Sequence, residues 1–238
     1  MKPSGHEVLI TGGAKGIGLA LAKKFHAAGN AVTIVGRDQA ALDAAAATLP
    51  GLKTIRADIT TPDGRDAIAA NAAATSVLVN NAGVQLSGEF ASFTEEQIDR
   101  EVETNLLAPM HLVHIFLPAL QQRDEAAVIN ITSVLALVPK ESSPVYCATK
   151  AAFRSFTRAL RWQLEGTGVR VFEVLPPVVD TAMTAGRGKG KIAPDVVADT
   201  VWPAYLADQP EILVGKARAA AMLLRLAPRL AEKIVRRT

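Results

Sequence analysis

The chain has one cysteine in 238 residues, Cys147, so it can form no internal disulfide, which fits a reducing compartment. It has no run of about 18 apolar residues, so no membrane-spanning helix is expected. Its first residues lack a signal-peptide layout, because the apolar stretch Val8–Ile10 is too short for one. A cytoplasmic protein is the expectation. Metal-ligand clusters are missing as well. His111 and His114 stand i, i+3 on one helix face, but no further Cys or His lies near them. An ordinary helix surface or a packing role is expected there, and no metal. No internal repeat is present, and no linker rich enough to separate two domains.

Apolar residues make up 49% and charged residues 21%, which suits a soluble chain with a sizeable core. That excludes a disordered chain, a collagen and a disulfide-stapled miniprotein. The net charge is +3 and the isoelectric point about 9.1. This surplus is local. Residues 216–238 hold Lys216, Arg218, Arg225, Arg229, Lys233, Arg236 and Arg237 against one acid, Glu232. The remainder is mildly acidic.

Short β-rich runs recur at Val8–Ile10, Ala31–Val35, Thr54–Arg56, Val77–Val79, Ala127–Ile131, Val169–Val174 and Glu211–Val214. Between them lie helix-like stretches at Gly16–Ala28, Gln39–Leu49, Thr61–Ala73, Glu95–Leu120, Ser143–Glu165 and Asp195–Leu206. This alternation predicts an α/β fold, a Rossmann-like doubly wound parallel sheet of about seven strands with helices on both faces. One domain is expected over 1–215, including a Gly- and Lys-rich surface loop at 181–195, with a helical extension over 216–238.

Directly after the first strand comes Thr11-Gly12-Gly13-Ala14-Lys15-Gly16-Ile17-Gly18, then a helix. Glycines allow close approach of backbone to a pyrophosphate, and the helix N-terminus aims N–H groups at the anion. A glycine pattern alone is weak; its place between strand and helix gives it weight. The spacing T-G-x-x-x-G-x-G resembles the short-chain dehydrogenase/reductase family. Ala57-Asp58-Ile59 and Asn80-Asn81-Ala82-Gly83 extend the resemblance. It implies that Gly12, Lys15, Gly16, Ile17, Gly18, Asp58, Ile59, Asn81, Ala82 and Gly83 contact a dinucleotide cofactor.

The second strand ends Val35-Gly36-Arg37-Asp38. Family members selective for NAD carry an acid where Gly36 stands. Arg37 and Lys15 offer two cations for a 2′-phosphate, so NADP(H) is the preferred cofactor, with NAD(H) the alternative if Asp38 takes the acid's place.

Tyr146 and Lys150 stand i, i+4 in Y-C-A-T-K and share a helix face. A nearby ammonium favours the phenolate, which suits Tyr146 to general acid/base work. By resemblance Ser133, after the fifth strand, polarises a substrate carbonyl, and Asn105 supports a water in a proton relay. Asn105 falls inside a predicted long helix, where Asn is a poor helix former, so local backbone work is expected. Cys147 points away from this face and reads as a packed thiol.

After the sixth strand the family usually has P-G, whereas this chain has Pro176-Pro177. By resemblance Tyr146 and Lys150 also contact the cofactor, and the Val179 backbone and Thr181 hydroxyl hold the nicotinamide carboxamide. Gln85, Leu135, Val145, Val178 and Met183 are candidate pocket residues. A mostly apolar pocket suits a ketone, an aldehyde or a secondary alcohol. Arg187, Lys189 and Lys191 in the 181–195 loop read as solvated charges in preference to partners of an acidic substrate. A homodimer or homotetramer follows from the resemblance; Ala151, Ser155 and Ala159 could serve close helix packing or lie on the sheet. Y-C-A-T-K, the P-P variant and the basic tail are similar to a bacterial branch of the family associated with the D-alanylation locus.

The reading is therefore an NADP-preferring oxidoreductase acting on small-molecule carbonyls or alcohols, with Asn105, Ser133, Tyr146 and Lys150 as its catalytic set. The alternative is a regulatory or scaffold protein that binds dinucleotide without chemistry. A sugar-nucleotide epimerase or dehydratase would need a larger substrate domain. In the tail, Leu223, Leu226, Leu230 and Ile234 approach helical spacing, and Pro228 predicts two short helices. Packing of that apolar face on the enzyme or a neighbouring subunit is preferred to contact with an anionic membrane surface. Nucleic acid is not needed to explain the charge.

Overall fold

The computed structural model describes residues 1–186 and 188–236. Seven strands form one parallel sheet in the order β3-β2-β1-β4-β5-β6-β7. They are β1 (Glu7–Thr11), β2 (Ala31–Gly36), β3 (Lys53–Arg56), β4 (Val77–Asn80), β5 (Ala126–Ile131), β6 (Val169–Leu175) and β7 (Glu211–Leu213). The helices are α1 (Gly16–Ala27), α2 (Gln39–Thr48), α3 (Pro62–Asn71), α4 (Glu95–Val102), α5 (Ala108–Gln121), α6 (Pro144–Gln163), α7 (Pro194–Leu206), α8 (Ala217–Leu226) and α9 (Pro228–Val235).

Side chains alternate between two cores. Val8 and Ile10 join Phe25, Val201 and Tyr205 on one side of the sheet; Leu9 joins Leu112, Phe116 and Leu160 on the other. Burial on both faces explains why β4 and β5 read as unbroken buried runs. The chain winds outward from β1 to β3, then restarts beside β1 with β4. That reversal opens a crevice at the carboxyl ends of β1 and β4, where this class of sheet binds ligands.

Three details sharpen or correct the sequence expectation. The helix expected over 95–120 is interrupted by a π turn at Glu103–Leu107, which carries Asn105. Ala151, Ser155 and Ala159 face outward on α6, while Phe153, Thr157 and Leu160 are buried, so the small residues do not lie on the sheet. The tail forms two helices broken at Ala227–Pro228, as the proline predicts. However, it turns Ala217 and Ala231 inward, and Leu226, Leu230 and Ile234 are exposed. Those three side chains do not cover the body of the protein. Arg187 and Arg237 lie outside the described residues.

Candidate active site

The glycine loop is shaped by contacts that leave no room for side chains. Gly12 and Gly16 adopt φ of +63° and +56°, a region that favours glycine. A methyl at Gly18 would overlap the Gly12 carbonyl oxygen, and one at Gly13 would strike Ile34. Asn81 ties the loop to the end of β4: its Nδ2 donates to the carbonyls of Thr11 (2.9 Å) and Gly12 (3.1 Å). Thr11 Oγ1 returns the tie, accepting from the N–H groups of Asn81 (3.0 Å) and Ala82 (3.1 Å). A methyl on Gly12 would stand 3.0 Å from Ala82 Cα, and one on Gly16 would stand 3.0 Å from Thr181 Cγ2. Gly12, Gly16, Gly18, Asn81, Ala82 and Thr181 thus share one backbone-rich cradle at the start of α1. Ile17 is half-buried beside it, and no acid occupies the first turn of the helix. Such a cradle fits a dinucleotide pyrophosphate.

The adenosine-side candidates also converge. Asp58 Oδ1 accepts from the Thr60 N–H (3.0 Å) and hydroxyl (2.7 Å), and Arg37 Nη1 reaches Asp58 Oδ2 at 3.3 Å. Hydrogen bonds from Thr60 and the Arg37 charge outweigh burial and lower the carboxyl's pKa. Ile59 is buried next to it. Lys15 Nζ pairs with Asp38 Oδ2 at 2.9 Å, while Asp38 Oδ1 caps α2 through the Ala41 N–H. Asp38 is therefore committed to a cap and a lysine.

The four catalytic candidates lie around the ends of β4 and β5. Lys150 is buried and its Nζ donates to the Ile131 carbonyl at 2.9 Å. Burial pulls its pKa down to about 8, opposed by the carboxylate of Glu101. The ammonium lies 5.7 Å from the centre of the Tyr146 ring. A methyl on Gly83 would meet Asn105 Oδ1 at 3.1 Å and Lys150 Nζ at 3.8 Å, so the N-N-A-G turn forms a floor beneath both. Asn105 clamps that floor, with Oδ1 accepting from the Val84 N–H (2.9 Å) and Nδ2 donating to the Val84 carbonyl (2.8 Å). This is the backbone work that the mid-helix Asn implied, and the π turn presents it. Ser133 follows β5, is 7% exposed, and its Oγ accepts from the Leu135 N–H at 3.1 Å. Cys147 is a packed thiol. It accepts from the Lys140 N–H, and burial raises its pKa.

The pocket candidates are less uniform. Gln85 donates to Ser143 Oγ at 3.0 Å, and Met183 reaches toward Gly83. Leu135 is half-buried, whereas Val145 is buried in the first turn of α6. Val178 sits against Gly188 of the loop. Pro177 brings no N–H, but the Pro176 carbonyl accepts from Val134 (3.1 Å) and so fastens this segment to the Ser133 turn. The Val179 carbonyl accepts from Thr184 Oγ1. Lys191, read from sequence as a solvated charge, instead staples the loop: it donates to the Thr184 carbonyl (2.7 Å) and pairs with Asp180 (3.3 Å).

Two features escaped the sequence reading. Glu101 is fully buried, one turn before Asn105, and its Oε1 accepts from the Leu86 N–H at 3.0 Å. Glu101 and Asn105 therefore pin alternate residues of one segment. Because the Glu101 charge holds the Lys150 ammonium up, Glu101→Gln is expected to lower the Lys150 pKa while keeping the bond to Leu86. If Lys150 sets a limb of the pH–rate profile, that limb should then move to lower pH; an unmoved limb would deny the coupling. Arg154 is the second feature. It bridges the buried Glu173 (2.6 Å) to Glu211 (3.1 Å), and Glu173 accepts from the Thr132 hydroxyl (2.9 Å) beside Ser133.

The short chain dehydrogenase family profile matches residues 6–191. An uncharacterized oxidoreductase of Bacillus subtilis (strain 168), DltE, is 45% identical over 189 residues, covering 77% of this chain and 75% of that protein. Among solved structures, a short chain dehydrogenase from Burkholderia cenocepacia J2315 in complex with NADP superposes with a TM-score of 0.89. It is 27% identical and covers 99% of each chain. A short chain dehydrogenase/reductase from Burkholderia phymatum in complex with NAD gives a TM-score of 0.88 at 24% identity, covering 97% of this chain and 96% of its own. That last likeness concerns the fold.

Proposed function

The chain belongs to the short-chain dehydrogenase family of NAD(P)-dependent oxidoreductases, and from that premise we propose that it interconverts a carbonyl and an alcohol, using NADP(H) in preference to NAD(H). The observation that carries this reading is the gathering of Lys150 and Asn105 over Gly83, with the Tyr146 ring beside Lys150 and Ser133 at the end of the neighbouring strand. A non-catalytic dinucleotide-binding protein has no use for a buried ammonium kept beside a tyrosine, since burying a charge is costly.

Gly12, Gly16, Ile17, Gly18, Asn81, Ala82, Gly83, Asp58 and Ile59 would hold the dinucleotide, with Val179 and Thr181 at its nicotinamide end. The bound nicotinamide supplies or accepts the hydride. The chain's own residues handle the proton. Tyr146 donates its phenolic proton to the carbonyl oxygen in reduction and takes a proton from the alcohol in oxidation. Ser133 donates a hydrogen bond to the same oxygen, stabilising the charge that develops there. The Lys150 ammonium lowers the cost of the phenolate and connects, through Asn105 and a supported water, to solvent. With a pKa of about 8, Lys150 is mostly protonated at neutral pH and loses its proton just above it. Gln85, Leu135, Val145, Val178 and Met183 would border a small, mainly apolar substrate.

The cofactor preference is supported by three facts. Gly36 leaves the end of β2 without an acid, Asp38 is occupied as a helix cap, and Arg37 and Lys15 are exposed enough to turn toward a phosphate. Their present pairs with Asp58 and Asp38 are solvent-screened surface pairs, weaker than a charge-assisted phosphate contact. NADPH and NADH consumption across a panel of ketones and aldehydes tests both levels of the proposal. Turnover with NADPH well above NADH is expected. Arg37→Ala should raise KM for NADPH about tenfold or more and leave KM for NADH nearly unchanged. Equal loss with both cofactors would remove Arg37 from the 2′-phosphate, and no consumption of either would favour the scaffold alternative.

A further inference from the structure

The tail presents a two-part surface that the oxidoreductase reading does not use. Met222, Leu226, Leu230 and Ile234 recur every four residues along α8 and α9 and are 62%, 76%, 49% and 52% exposed. Arg225, Arg229 and Lys233 recur with the same spacing, each one residue before a member of the apolar row. Ala217 and Ala231 are buried, and Leu223, Leu224 and Val235 are partly covered. On both helices, therefore, large apolar side chains open to solvent stand next to cations: Met222 and Leu226 with Arg225 on α8, Leu230 and Ile234 with Arg229 and Lys233 on α9. Glu232 is the one acid in the described part of the tail, residues 216–236, against six cations.

The tail is fastened to the body, not trailing from it. α8 packs on the short turn Val134–Ala136 that follows Ser133. At the far end, the Arg236 carbonyl accepts from the Glu141 N–H (3.1 Å) and its guanidinium pairs with Glu141 (2.8 Å). Among the described residues no helix is long and apolar enough to cross a membrane.

We infer that α8 and α9 form an interfacial docking surface for an anionic lipid bilayer. Apolar side chains beside a row of Arg and Lys match the layered chemistry of such a surface, acyl chains beneath phosphate headgroups. A second copy of the tail carries the same surplus of cations, so tail-to-tail contact gains no charge pairing, whereas an anionic surface does. The inference is independent of the carbonyl chemistry, since none of its residues belongs to the catalytic or cofactor set.

Sedimentation of the full chain with vesicles of phosphatidylcholine, with and without phosphatidylglycerol, tests it. Binding to the anionic vesicles is expected to exceed binding to the neutral ones by about tenfold or more and to weaken in high salt. Leu226→Ser with Leu230→Ser and Ile234→Ser should abolish the difference, as should Arg225→Ser with Arg229→Ser and Lys233→Ser. NADPH turnover on a soluble ketone should be unchanged in both variants. Wild-type protein that stays in the supernatant, or variants that sediment like wild type, would overturn the inference. So would light scattering in which the apolar-row variant falls from oligomer to monomer without any lipid effect, which would assign the row to a second copy.

Discussion

Tyr146→Phe should lower turnover by about 10²- to 10⁴-fold, the range that a positioned general acid or base contributes. The substitution removes one hydroxyl and keeps the ring. Tyr146 is 9% exposed, and its ring stands 5.7 Å from the Lys150 ammonium, a contact that phenylalanine retains. Packing of α6 is thereby preserved. The dinucleotide cradle is built from the glycine loop and the N-N-A-G turn, none of which depends on the phenol. NADPH affinity, read by fluorescence titration, should therefore change little. The pair of measurements separates roles. Lost turnover with intact binding fits proton transfer, whereas joint loss would make Tyr146 a packing residue and retained turnover would remove it from the chemistry.

Much of this site was legible because its signals are local. Glycines at fixed offsets, an i, i+4 Tyr–Lys pair and a strand-to-turn Asn-Asn-Ala-Gly are short patterns whose geometry follows from one strand end or one helix face. Strand and helix positions were also legible, because a doubly covered parallel sheet writes continuous apolar runs. The π turn was not legible as such. Asn105 signalled an irregularity, but a helix periodicity over 95–120 cannot reveal one extra residue per turn. Glu101 was missed for a different reason. A lone acid on a helix whose neighbours include Glu95, Glu96, Asp99 and Glu103 reads as solvated, and its burial depends on a long-range contact with Leu86. Lys191 was misread in the same way, since its partners Thr184 and Asp180 meet it only when the loop closes on itself. The tail's apolar spacing was visible, yet which side would face the body was not. Ala217 and Ala231 took the buried positions and left Leu226, Leu230 and Ile234 exposed.

Arg154→Met should destabilise the fold by about 3–5 kcal/mol, the cost of leaving a buried charge without its partner. Glu173 sits inside β6 with no exposure, held by Arg154 at 2.6 Å and by the Thr132 hydroxyl at 2.9 Å. In the variant the carboxylate keeps Thr132 and loses its cation. For a domain of this size the loss corresponds to a fall in Tm of roughly 10 °C. Its pH dependence identifies the cause. Burial already raises the Glu173 carboxyl above its ordinary value, even with Arg154 beside it. The folded state therefore holds a proton at pH values where the unfolded chain has released it, and stability from this group falls as pH rises above about 4.5. Removing the guanidinium raises the folded-state value further and widens that window. The deficit of Arg154→Met should accordingly be smallest near the carboxylate range and grow toward neutral pH. Pairing the substitution with Glu173→Leu should recover much of the loss, because a matched apolar pair carries no buried charge. A deficit that is flat with pH and unrelieved in the double variant would assign the effect to packing. The consequence reaches the chemistry through Thr132, whose neighbour is Ser133. If the Arg154–Glu173–Thr132 chain sets that strand end, the single variant should lose kcat/KM even at temperatures where it remains folded.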